Sequence, residues 1–165
     1  MFVRNAKHPC KKRKKRRSNA LLASWKSALM ETQADLNREA QVIKRVCNHF
    51  NCEALKLPTH QRLDFALTRQ ADIVAFAEIK VRRCASDAYK TAMIHLDKVI
   101  FANQLSDIAS TPAFLFIQWT DGLGYVDFKS SFYTRLGGRT DRGIVKDYSL
   151  VAHYPMENFK FIGEK

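Results

Sequence analysis

Apolar residues recur at helical spacing through Leu36, Ala40, Ile43, Val46, Cys47 and Phe50, which predicts an amphipathic helix. The helical reading begins at Leu21, breaks between Met30 and Thr32, and restarts with Thr32 as N-cap. At about 100° per residue, Glu39 falls on the same stripe, between Val46 and Ile43. A carboxylate among core positions needs a partner cation, a metal or a water-filled cleft. "LPTHQ" then punctuates the chain, and alternation takes over from Arg62 to Arg82, as two strands joined by a tight turn near Ala71. Helical spacing returns at Tyr89, Ala92, Met93, Leu96, Val99 and Ile100, predicting a second helix from a Ser86 cap to about Ala109. "AFLFIQW" is a strand buried on both faces, and "TDGLG" turns the chain back through "YVDF". After a Gly/Arg-rich loop, "RLGGRTDRG", the last strand is "YSLVAHYP". The order helix, strand, strand, helix, strand, strand predicts an α/β fold, one mixed β-sheet flanked by helices.

Composition adds a second part. Nine of the 28 Lys and Arg lie in the first twenty residues with no acid among them, leaving 19 basic against 16 acidic residues over the rest. Residues 1–20 therefore read as a basic arm, centred on Lys11, Lys12, Arg13, Lys14, Lys15, Arg16 and Arg17, ahead of a single domain over 21–165. Such an arm suits a polyanion; as a bare charge run it is equally a solvated tail or a nuclear address. No apolar run spans a bilayer, and no acylation signal accompanies the arm, so no membrane partner is expected. Cys10, Cys47, Cys52 and Cys84 form no CxxC pair and no secretory leader is visible, so the expected location is the cytoplasm of a bacterial or phage-infected cell, or the nucleus of a eukaryote.

The hairpin carries the chemistry. One face of its second strand is apolar through Ile73, Ala75, Ala77, Ile79 and Val81. The other begins apolar at Val74 and Phe76 and turns charged at Glu78, Lys80 and Arg82. With the turn centred near Ala71, Asp64 lies directly opposite Glu78, with β-carbons about 5 Å apart. Two ionised carboxylates at that distance repel by roughly 3 kcal/mol at an effective dielectric of 20. Lys80 could offset this as a plain ion-pair network, and a bound divalent cation could do so with oxygen ligands. Asp72 is the rival acid, but it falls in the predicted turn, where Asp is common for local backbone reasons.

An acidic residue on one strand, followed across a hairpin by Glu-x-Lys in "AEIKVR", resembles the PD-(D/E)XK nuclease superfamily. The resemblance covers about residues 32–128, and more loosely "KLP…LDFAL…EIKVR…HLDK" is similar to small phage-encoded members. Leu63 stands where the motif's Pro would be. The resemblance implies a restriction-endonuclease-like core in αββαββ order and a metal-dependent nuclease acting on DNA, with resolvases acting as homodimers among its small basic members. It implies Mg²⁺ or Mn²⁺ held by Asp64, Glu78 and the backbone carbonyl of Ile79, with Glu39 joining directly or through water. Lys80 would orient the attacking water, so Glu39, Asp64, Glu78 and Lys80 form the implied catalytic set.

Further candidates lie around this set. Lys98, off the apolar stripe of the second helix, is a solvated lysine or a phosphate contact. Arg139 and Arg142 sit in a glycine-rich loop that lets backbone approach a phosphate, or pair with Asp141. Gln118, inside an apolar strand, must be hydrogen-bonded and is read as structural. Cys47, His49 and Cys52 with His60 or Cys84 fit no standard zinc spacing. The competing functional class is a non-catalytic nucleic-acid-binding protein whose acids and lysine form only an ion-pair network.

Overall fold

The computed structural model describes residues 32–58, 60–138 and 148–163. The arm residues Lys11 to Arg17, the helix expected from Leu21 to Met30, and Arg139, Asp141 and Arg142 lie outside the described residues. The chain divides into two units, Met1–Leu36 and Asn37–Lys165. Of the first, the described part opens helix α1, Gln33–Phe50. Thr32 caps it as expected: its hydroxyl accepts from Asp35 N–H at 3.2 Å while the Asp35 carboxylate accepts from Thr32 N–H at 3.1 Å, a reciprocal capping pair.

The second unit is built on a six-stranded mixed sheet in the order β1-β2-β3-β5-β6-β9. Its strands are β1 Glu53–Lys56, β2 Phe65–Arg69, β3 Asp72–Val81, β5 Ala113–Gln118, β6 Leu123–Asp127 and β9 Lys160–Ile162. A smaller antiparallel sheet runs β4-β8-β7, from Thr91–His95, Tyr148–Pro155 and Tyr133–Gly138. Helix α2 is Leu96–Ala109. β3 and β5 run parallel, while the β2–β3 and β5–β6 pairs are antiparallel hairpins.

The two faces of the large sheet carry separate cores. Val42, Ile43 and Val46 of α1 pack with Phe65, Leu67, Ala75, Ala77, Ile79 and Phe116. Leu63, Ala66, Phe76, Leu115, Ile117 and Phe128 pack on the opposite side with Val99 and Ala102 of α2 and with Ile94, Ala152 and Tyr154 of the small sheet. This is the period-two alternation of β3 made physical, with Glu78 on the Phe76 side.

Three expectations are corrected. The stripe of α1 is Glu39, Val42, Ile43 and Val46, and Ala40 points outward, so the helix is turned slightly from the predicted face. The second helix does not begin at Ser86: a single 3₁₀ turn there leads into β4, and Tyr89, Met93 and Ile100 are exposed rather than lining a helical face. Thr91–His95 alternates in burial because Ala92 and Ile94 enter the core while the strand pairs with β8, a partner about sixty residues away. The single sheet becomes two, and β1, β4, β7 and β9 are interleaved with the αββαββ core.

Candidate active site

The hairpin fixes the central pair. Phe65↔Ala77, Ala66↔Phe76 and Leu67↔Ala75 are in register, and Asp64, just before β2, lies against the Ala77–Ile79 stretch of β3. Asp64 N–H donates to the Ala77 carbonyl at 3.1 Å, and Ile79 N–H donates to Asp64 Oδ2 at 2.8 Å, so the Asp64 carboxylate is laid across the backbone of the neighbouring strand. A bulge between Leu67 and Thr68 shifts the register before the turn, where Gln70 and Ala71 both take positive φ. Asp72 opens β3 opposite Arg69, six residues from Glu78 and about 20 Å along the strand.

Glu78 is fully buried. Its Oε1 accepts from Lys80 and, at 2.5 Å, from Lys98 of α2, whereas Oε2 is buried without a hydrogen-bond partner among the described residues. Burial pushes the Glu78 carboxyl above its ordinary range; Lys80 and Lys98 pull against this and Asp64 adds to it. Burial alone would lower the Lys80 ammonium, but the carboxylates of Glu78 and Asp64 hold it above its ordinary value. The side chains of Lys80 and Lys98 remain about a third and a quarter exposed, so the cluster opens to solvent on its cationic side.

Glu39 is buried, as its place on the stripe required, and its partner is Lys56 of β1. The Lys56 ammonium also lies over the Phe65 ring, 4.6 Å from its centroid. Both Glu39 and Phe65 belong to the α1 side of the sheet, while Glu78 projects from the other side. The structure thus joins Asp64, Glu78 and Lys80 but draws Glu39 to a lysine. Among the described residues no group of three or more His, Cys, Asp and Glu is placed to hold a metal ion, and the Cys47, His49 and Cys52 combination forms none.

Lys98 turns out to be a neighbour of Glu78 rather than a solvated lysine. Its position off the apolar stripe gave no hint of this, because the helix it belongs to begins ten residues later than the spacing predicts. Lys56 was missed because β1 is four residues long and exposed throughout, so it shows no alternation. Gln118 is structural as expected: its amide donates to the Gly122 carbonyl at 3.0 Å, and its oxygen accepts from Arg45. Leu63, at the position of the motif's Pro, is a core residue.

Comparison with solved structures finds the Holliday junction resolvase Hjc of Archaeoglobus fulgidus, an archaeal hyperthermophile, at a TM-score of 0.47 and 10% identity, covering 72% of this chain and 87% of that one. Comparison with curated proteins gives no match. The family model described as "Phage putative PDDEXK endonuclease" matches residues 27–162, which takes in α1, both hairpins and the Asp64–Glu78–Lys80 cluster, and the chain belongs to that nuclease family.

Proposed function

We propose that the protein is a divalent-metal-dependent nuclease that hydrolyses phosphodiester bonds of DNA. The observation that carries this reading is the Glu78 carboxyl: one oxygen faces two ammonium groups, the other is buried and unsatisfied among the described residues, and a second carboxylate, Asp64, is held beside it by the Ile79 N–H. An unpartnered buried carboxylate oxygen costs folding free energy, and a hard cation is a fitting partner for it. Asp64, Glu78 and the Ile79 carbonyl are the donors that would hold Mg²⁺ or Mn²⁺, all oxygen and two of them anionic. Such an ion, when bound, polarises the attacked phosphate and lowers the pKa of a water. Lys80, on the open side of the cluster, orients that water and places positive charge beside the phosphate as negative charge develops there. Lys98 keeps the buried Glu78 charge compensated from the helix side. Glu39, paired with Lys56 on the α1 side of the sheet, is left outside this set.

A second reading has its own observation: Lys80 and Lys98 both close on Glu78, as they would in a purely structural ion-pair network of a DNA-binding protein. Mg²⁺-dependent cleavage by wild type, Asp64→Ala and Lys80→Ala proteins separates the two. The panel comprises supercoiled circles, linear ends and four-way junctions. The nuclease reading expects cleavage by wild type and a loss of about 100-fold or more in each variant, with DNA binding retained. Binding by all three proteins and cleavage of nothing in the panel would leave the structural network standing. Preferential cutting of the junction, by a protein that elutes as a dimer, is the result expected of a resolvase.

A further inference from the structure

The small sheet turns one face away from the core. Ala92 and Ile94 of β4 and Ala152 and Tyr154 of β8 point inward and are buried. On the other side the register sets Met93, His153 and Tyr133 side by side across the three strands, while Val151 on that side is buried. The Tyr133 and His153 rings are parallel, 2° apart in plane with centroids 5.1 Å apart, and the Arg135 guanidinium lies 5.4 Å from the Tyr133 ring. Tyr133 and Met93 are each more than two fifths exposed.

This row runs into a cavity of about 430 Å³, lined by Arg82, Tyr89, Lys90, Met93, Trp119 and His153 among others. Its volume is within the roughly 300–1,000 Å³ typical of small-ligand sites. Tyr89 is 69% exposed at its edge, a large aromatic surface that contributes little to the core. Arg82 ties the cavity to the active-site cluster in two ways. It directly follows β3, its N–H donating to the Gln118 carbonyl at 2.8 Å, and its Nη2 donates to the Met93 carbonyl at 3.0 Å, which fixes the guanidinium at the rim.

Rings and cations thus neighbour one another in the cavity, at Arg82, Tyr89, Lys90 and His153, and in the row beside it, at Tyr133 and Arg135. A paired double helix offers phosphates to such a surface, but keeps its base faces stacked away from the rings. An unpaired strand offers both, and exposed aromatic side chains flanked by cations are the usual platform for one. Burial and the nearby Arg135 hold the His153 imidazole below its ordinary pKa, which keeps the ring uncharged near neutral pH and able to stack. We infer that the outer face of the small sheet and the adjoining cavity bind an unpaired DNA strand, its bases stacking on Tyr89, His153 and Tyr133 and its phosphates meeting Arg82, Lys90 and Arg135.

This inference rests on the nuclease reading for its substrate, and its test does not. The full-length protein in EDTA is titrated against a fluorescein-labelled oligothymidylate and against a duplex of equal length. Tyr133→Ala and Tyr89→Ala are each expected to weaken single-strand binding by about five-fold or more while leaving duplex binding unchanged. Tyr133→Phe, which keeps the ring, should bind as wild type does, and this conservative variant guards against misfolding of the Ala form. Single-strand binding that is indifferent to both Ala substitutions, or that falls equally in Tyr133→Phe, overturns the inference. Equal losses on duplex and single strand overturn it too, since a general cationic surface would behave so. Because no cleavage is read, failure here leaves the nuclease reading intact, and an inactive protein that passes this test removes only that reading.

Discussion

Glu78 is fully buried, and both ammonium groups that reach it close on the same oxygen. If Lys98 were a solvated surface residue, Lys98→Ala would shift stability by no more than about 0.5 kcal/mol. As the helix-side partner of a buried carboxylate it should cost about 1–3 kcal/mol, measured by urea denaturation of the metal-free protein. A second buried group gives a pH signature. Tyr154 is fully buried and its hydroxyl donates to the Phe128 carbonyl at 2.9 Å. Burial first, and the Asp127 charge second, push its pKa above the ordinary value. The unfolded chain therefore releases this proton first: the tyrosine's contribution is complete below about pH 10 and is lost as pH rises from there towards the folded-state pKa. Tyr154→Phe should cost about 1 kcal/mol at pH 7 and flatten the alkaline loss of stability followed by thermal melting. Asp64 and Glu78 were legible in the sequence because strand periodicity and a short turn determine register. Lys98 and Lys56 were not, since each reaches its carboxylate across tertiary structure that no local spacing encodes.

The β2–β3 hairpin holds its register with a turn that contains no glycine. Gln70 at φ 51° and Ala71 at φ 70° both occupy the left-handed region, where an L-residue with a β-carbon is disfavoured by about 1–2 kcal/mol. Ala71→Gly removes that cost, offset in part by the extra freedom glycine gives the unfolded chain. A net gain of about 0.5–1 kcal/mol is expected, with a melting temperature higher by about 1–4 °C, and cleavage should be unaffected because the turn is at the far end of the strand from Glu78. This hairpin, β5 and β6 were readable from alternation, continuous apolarity and turn residues. β4 was not: its five residues fall within a run whose spacing also satisfies a helix, and only pairing with β8 decides between them. β7 and β9 were missed for a related reason, being short or glycine-bearing edge strands stabilised by partners rather than by their own pattern.

The charge of the entire chain is divided unevenly, and this has consequences for how it would meet DNA. Outside the first twenty residues basic and acidic groups nearly balance, and several of the basic ones are already engaged: Lys56 with Glu39, Arg62 with Asp97, Lys129 with Asp107, and Lys80 and Lys98 with Glu78. Non-specific attraction to a duplex should therefore come chiefly from Lys11, Lys12, Arg13, Lys14, Lys15, Arg16 and Arg17, while the Asp64, Glu78, Lys80 and Lys98 group supplies little net positive charge of its own. Replacing these seven residues by Gln should weaken duplex binding at low salt and flatten the plot of log K against log salt, by about 0.9 for each phosphate the arm no longer neutralises. Cleavage per bound complex should be preserved, because Asp64, Glu78 and Lys80 are positioned by the hairpin and not by the arm. A binding series across sodium chloride concentrations, paired with single-turnover cleavage at saturating protein, reads the two quantities separately. An unchanged salt slope would move the main phosphate-binding surface onto the domain, and a matching fall in the single-turnover rate would make the arm part of the cleavage step itself.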